Sequence, residues 1–303
     1  MDWQGIVNRF EAFQRASNLS ERTIGGRTEV LQRLARTSGV QPQEVQLEHM
    51  IEFLNRDHAR TGRPLAAGTK QVERSYLQCW GRWMHEEGLT VQNHAARLPR
   101  VKVPRRQARP IYLEHVMALL ELDVWQSTKD LIAVLANTGL RVGEAVRIRG
   151  EDYDPIGKTL RAVRKGGLVH ILRLPQAMVE LAQRMPREGW WFPSTYVSRQ
   201  FPEGGGHILM KSASTKIGHA LRKIGIKDPK ITGHSLRHFY ACMLLANGTP
   251  IHVVQEMLGH ASLATTQLYI LVRDEEIRDA VQLIPRIDSR DSEMQGVSHK
   301  LVA

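Results

Sequence analysis

Apolar residues recur at helical spacing through the first hundred positions. Trp3, Ile6, Val7, Phe10 and Phe13 share one helical face. Ser20 is placed to cap a second helix carrying Ile24, Leu31 and Leu34, with a stop expected near Ser38-Gly39. Leu47, Met50, Ile51 and Leu54 form a third stripe, and Val72, Tyr76, Cys79, Trp80 and Trp83 a fourth. No two-residue alternation competes with this period, so residues 1–98 are expected to form an all-α four-helix domain.

The stretch RLPRVKVPRRQARP (97–110) breaks the pattern with three prolines and six basic residues. Such a segment reads as an extended basic linker, placed at 99–110. Beyond it the periodicity changes character. Leu113–Leu122 and Thr128–Ala136 read as helices, the second broken by Asn137-Thr138-Gly139, and a short helix follows within LRVGEAVRI. Leu160–Val163 and Leu168–Leu174 are β-prone runs joined through Gly166-Gly167, a hairpin. Helices resume at about 176–185 and 211–224, and Gly204-Gly205-Gly206 marks a mobile loop. Leu236, Phe239, Tyr240, Met243 and Leu244 make a helical stripe capped at Asn247-Gly248, and Ile251, Val254 and Leu258 another ended by Gly259. Ser262 is placed to cap a last helix carrying Tyr269. The expected second domain, 111–285, is mainly α with a small β-hairpin or sheet, followed by a flexible tail at 286–303.

Composition adds a partner. The 303 residues hold 42 Lys plus Arg against 31 Asp plus Glu, a net charge of +11 with pI near 9.9. A balance this basic favours a polyanion, nucleic acid first. Over 1–110 there are 18 basic and 11 acidic residues, so more than half of the excess lies in the first domain and linker. Arg22, Arg27, Lys70 and Arg74 lie off the apolar stripes, and with Arg105 and Arg106 of the linker they are candidate phosphate contacts. Two basic domains on an extended tether suit a protein that closes around a duplex. The two cysteines, Cys79 and Cys242, fall within helical patterns and imply no disulfide framework. With no signal-peptide pattern and no apolar run long enough to cross a bilayer, a cytoplasmic location is expected.

The remaining question is why HSLRH (234–238) places two histidines around an arginine at a helix start. Phosphodiester cleavage without a metal needs permanent cations on the non-bridging oxygens, an in-line nucleophile and a proton for the leaving oxygen. Arg141, just after the helix break in TGLRVGE, and Arg237, three residues after His234, are suited to the first task. Arg237 and His234 are expected to flank the Leu236/Phe239/Tyr240 stripe and border the core without entering its centre. The i, i+4 spacing of His234 and His238 also suits zinc, but the glutamate a zinc hydrolase places beside its first histidine is absent, as is an evident third ligand. No metal or other cofactor is expected. His238 reads as a supporting residue, and Tyr153, Tyr196 and Tyr240 as core aromatics.

TGLRVGE, a hairpin lysine, HSLRH, LGH and TTQLY, in that order, resemble the signature of the tyrosine recombinases, the phage-integrase family. The resemblance spans nearly the whole chain. It implies catalytic Arg141, Lys165, His234, Arg237, His260 and Tyr269, with Tyr269 the nucleophile forming a 3′-phosphotyrosine, and Glu144 steadying the arginines. The first domain then resembles the family's four-helix (SAM-like) core-DNA-binding domain. One departure is in the hairpin, where RKGGLVH is short and sets Arg164 beside Lys165. Two candidates for the proton donor follow, and Lys165 fits better because a guanidinium does not deprotonate; Arg164 is then a DNA contact.

The implied function is site-specific integration and excision on double-stranded core sites with inverted half-sites. It would proceed in a tetramer through a Holliday junction, with C-terminal segments exchanged in trans and a directionality factor as possible partner. An extra N-terminal arm-binding domain is not expected. The rivals are an Xer-type chromosome-dimer-resolving recombinase, a type IB topoisomerase and a non-catalytic DNA-binding regulator. The end of the chain, KLVA, resembles small apolar termini read by bacterial ATP-dependent proteases, which makes a host protease a further expected partner.

Overall fold

The computed structural model describes residues 2–104, 111–164 and 167–259. The chain separates into two compact units, 1–105 and 106–303.

The first unit holds α1 (Trp3–Ala16), α2 (Glu21–Ser38), α3 (Leu47–Asn55) and α4 (Ala67–Glu86). Local chemistry sets their ends. The Asp2 carboxylate accepts from the Gly5 amide at 3.0 Å, Ser20 Oγ accepts from the Thr23 amide at 3.3 Å, and Gly39 closes α2 in the left-handed region. Ile6, Val7 and Phe10 meet Val30, Leu31, Leu34, Phe53, Leu77, Trp80 and Trp83 in one core. Each such fully buried side chain is worth about 1.5–3 kcal/mol. The fourth stripe differs from its sequence expectation. Val72 is 49% exposed, and its neighbour Glu73 is 3% exposed instead. Glu73 Oε1 takes Arg56 at 2.8 Å and Arg33 at 3.2 Å, so the carboxylate enters the bundle already paired.

The second unit is built on α6 (Gln126–Thr138), whose Leu131, Ile132, Val134 and Leu135 are all fully buried. Around it lie α5 (Leu113–Glu121), α7 (Val142–Ala145), α8 (Gln176–Arg184), α9 (Met210–Lys223), α10 (Gly233–Ala246) and α11 (Ile251–Leu258). The strands β1 (Tyr153–Asp154), β2 (Thr159–Val163) and β3 (Val169–Arg173) form an antiparallel sheet in that order. Leu160 faces Leu172 and Ala162 faces His170 across β2 and β3. Leu160, Ala162 and Leu172 are buried, while Arg161, Val169 and Ile171 face outward, the alternation expected of a sheet covered on one side.

In the loop at 204–206 the Gly204 amide donates to Phe201 O, Trp190 Nε1 donates to Gly205 O, and Gly206 lies so close to the Phe201 ring that a Cβ would collide with it. One expectation needs correcting here. Tyr196 is 81% exposed and is no core aromatic. Tyr153 and Tyr240 are half-buried against apolar clusters.

Candidate active site

The end of α6 prepares the site. Thr138 Oγ1 donates to Val134 O at 2.6 Å and accepts from the Leu140 amide at 3.3 Å, bending the chain out of the helix. Gly139 then takes φ 63°, where glycine is strongly favoured, and a Cβ there would strike the Tyr240 ring. This turn delivers Arg141 to the start of α7. Both oxygens of Glu144 hold it: Oε2 accepts from the Arg141 amide at 2.8 Å and Oε1 from Arg141 Nη1 at 2.9 Å. The Glu144 side chain is 4% exposed and that of Arg141 42%, so a fixed carboxylate aims a partly open guanidinium.

Arg237 is 1% exposed, which corrects the expectation that it would only border the core. Its burial is tolerated because backbone acceptors surround it. Nη1 donates to Gly139 O at 2.6 Å and Nη2 to Leu258 O at 2.6 Å. One guanidinium therefore joins α10 to the turn that carries Arg141 and to the C-terminal end of α11, where carbonyl dipoles favour a cation.

His234 lies in the first turn of α10, its amide bonded to Thr232 Oγ1 at 3.2 Å, and its ring meets that of His238 edge-on at 4.8 Å. His234 is exposed to solvent. Partial desolvation, then the charges of Arg237 and Arg141, lowers its pKa below the ordinary histidine value. His238 is pushed down to about 4 by burial, then by His234 and Arg237. Both rings are accordingly neutral at pH 7, and His234 feels both arginine charges at once.

Arg164 joins the same neighbourhood. Its pKa is lowered by burial first; Glu144 and Glu256 act against that and Arg141 with it. Nη2 donates to Met257 O at 2.7 Å, which turns the guanidinium toward the end of α11. His170 on β3, also with a lowered pKa from burial and Arg164, has a hydrogen bond to the Met257 backbone. Arg141, Arg164, His234, Arg237 and Glu144 thus come together from three separate segments, leaving a surplus of positive charge suited to an anion.

The other expected contacts lie elsewhere or beyond description. Lys165, His260, Tyr269, Arg105 and Arg106, and with them the cap at Ser262, the exchanged C-terminal segment and the tail 286–303, fall outside the described residues. In the first unit Arg22 is exposed. Arg27 is half-buried, donating to Gln14 Oε1 at 3.0 Å and lying over the Tyr76 ring. Lys70 donates to Asn55 Oδ1 at 3.0 Å. Arg74 is half-buried and reaches Leu98 O at 2.8 Å and Gln78 Oε1 at 3.0 Å. The long stems of Arg27 and Arg74 pack along the bundle.

Residues 113–276 match the profile of the phage integrase family. The tyrosine recombinase XerD of Rhizobium meliloti is 28% identical over 241 residues, 73% of this chain and 75% of that protein. The tyrosine recombinase XerA of Pyrococcus furiosus is 32% identical over 201 residues, 65% of this chain and 68% of its own. Among solved structures, a lambda integrase(75-356) dimer bound to a COC′ core site shares the fold with a TM-score of 0.69 at 17% identity, over 88% of this chain and 97% of that one.

Proposed function

Because the chain belongs to the phage integrase family and is a tyrosine recombinase, we propose that it cuts and rejoins double-stranded DNA at specific sites through a 3′-phosphotyrosine. In this reading Tyr269 Oη attacks the scissile phosphorus and the bond to the 5′ oxygen breaks. The tyrosine proton passes to neutral His234, and Lys165 protonates the departing 5′ oxygen. Arg141 and Arg237 hold the non-bridging oxygens, where negative charge builds in the transition state, and His260 donates a further hydrogen bond. The broken phosphodiester is conserved in the tyrosyl link, so rejoining needs no nucleotide hydrolysis.

One observation carries this reading. Arg141 and Arg237 stand 96 positions apart in the chain, yet Arg237 Nη1 donates to Gly139 O in the turn that carries Arg141, and Glu144 anchors Arg141. Preset cations are what an anionic transition state requires, since they need not reorganise as charge develops.

The first unit serves as the core-DNA-binding domain, and the active assembly is a tetramer on two sites with inverted half-sites, exchanging strands through a Holliday junction in the cytoplasm. Integration and excision is the preferred role, with a directionality factor as partner. Resolution of chromosome dimers is the second, favoured by the Xer names of the relatives. Incubation with a duplex nicked near the cleavage point tests the chemistry. A covalent adduct mapping to Tyr269 and lost in Tyr269→Phe is expected; no adduct, or one that survives Tyr269→Phe, refutes it. Strand exchange between two duplexes then separates recombination from mere relaxation of supercoils.

A further inference from the structure

Consecutive carbonyls at the end of α11 are taken by arginines from two different elements. Met257 O accepts from Arg164 Nη2 at 2.7 Å, and Leu258 O from Arg237 Nη2 at 2.6 Å. These are the last carbonyls of a helix, which lack intrahelical donors and carry the negative end of its dipole. Gly259, at φ 63°, follows at once. A Cβ on Gly259 would occupy the space of the Arg164 guanidinium, so the glycine serves both the left-handed turn and the arginine's seat.

Building on the recombinase reading, we propose that Arg164 is a positioning residue that fastens the end of β2 to the last turn of α11. The chain leading from Arg164 to residue 165 and the chain leaving α11 toward residue 260 are thereby held in fixed relation to Arg237. The proton donor and the nucleophile lie in sequence beyond those two exits. The contact spans 93 residues of chain, and the guanidinium is half-buried among Glu144, Arg141 and Glu256, a setting for an internal strut instead of a groove-facing cation. The sequence expectation of Arg164 as a DNA contact makes the opposite forecast, so the two are separable.

The test compares Arg164→Ala, Arg164→Lys, Gly259→Ala and the double variant R164A/G259A. DNA affinity is measured across a salt series, and single-turnover adduct formation on nicked duplex at saturating protein. A strut predicts adduct formation slower by about tenfold in Arg164→Ala, partial recovery with Lys, and an unchanged slope of log Kd on log salt. Gly259→Ala should reproduce the defect by displacing the guanidinium, and the double variant should be no slower than the worse single one. A salt slope reduced by about one, with the rate per bound complex unchanged, would make Arg164 a phosphate contact and overturn the proposal, as would wild-type behaviour in Arg164→Ala. If the wild-type protein forms no adduct, the recombinase reading fails separately; coupled losses of melting temperature in the same four proteins then support the strut, and additive losses reject it.

Discussion

Replacing Arg237 by Met should cost far more stability than the same change at Arg141. Arg237 is 1% exposed and donates to Gly139 O and Leu258 O, both at 2.6 Å. Met fills a similar volume but offers no donor, so two carbonyls lose their charged partner in the interior. Each buried carbonyl left without its donor costs about 1–3 kcal/mol, so the two together cost about 2–6 kcal/mol. For a unit of this size about 1 kcal/mol lowers the melting temperature by about 2–4 °C, which gives a fall of about 4–24 °C. Arg141→Met removes a side chain that is 42% exposed, and Glu144 keeps the Arg141 amide as donor. Its cost should stay near 1–2 kcal/mol. Thermal unfolding of the full chain, followed by circular dichroism in one buffer, compares the two directly. An Arg237→Met protein melting within about 2 °C of wild type would refute the placement of that guanidinium between the two carbonyls.

Three further outcomes follow from the same geometry. Gly139→Ala must adopt φ 63° and push against Tyr240, so it should lose about 2–4 kcal/mol in denaturant unfolding; a loss below about 1 kcal/mol would show that the turn relaxes freely. Glu73→Gln removes the buried charge that Arg33 and Arg56 share, and should destabilise the first unit by about 1–3 kcal/mol with little change in melting of the second. The histidine pair sets an acid limit: His238 has a folded pKa of about 4, below its unfolded value, so the folded state binds fewer protons and stability falls as pH drops from about 6.5 toward 4. His234, also depressed, should keep adduct formation flat through pH 7 and weaken it only on the acid side, whereas a rate rising steadily from pH 6 to 8 would contradict a neutral His234.

Much of this arrangement can be read from residue order, and the rest resists for identifiable reasons. Helix ends are legible where a side chain or glycine sets them, as at Ser20, Gly39, Gly139 and Gly259. Periodicity misassigns Val72 because the neighbouring buried position is filled by Glu73, whose pairing partners come from other elements. The burial of Arg237 escapes a hydrophobic pattern for the same reason. A signal does exist, since the residues one turn to either side are Gly233 and Ala241, both buried and too small to block the guanidinium. The inward turn of Arg164 has a weaker trace: backbone carbonyls carry no sequence signature, and only Gly259 hints at the seat. Strand β1, two residues long, is too short to produce any period.

The central claim is that Arg141 and Arg237 converge on a single phosphate. A crystal structure of the protein on a half-site duplex with a nicked scissile strand measures this directly. Both guanidinium groups are predicted within about 3 Å of oxygens on the same phosphate, with Glu144 still holding Arg141. Two arginines on different phosphates, or Arg237 sealed away from the DNA altogether, would contradict the account.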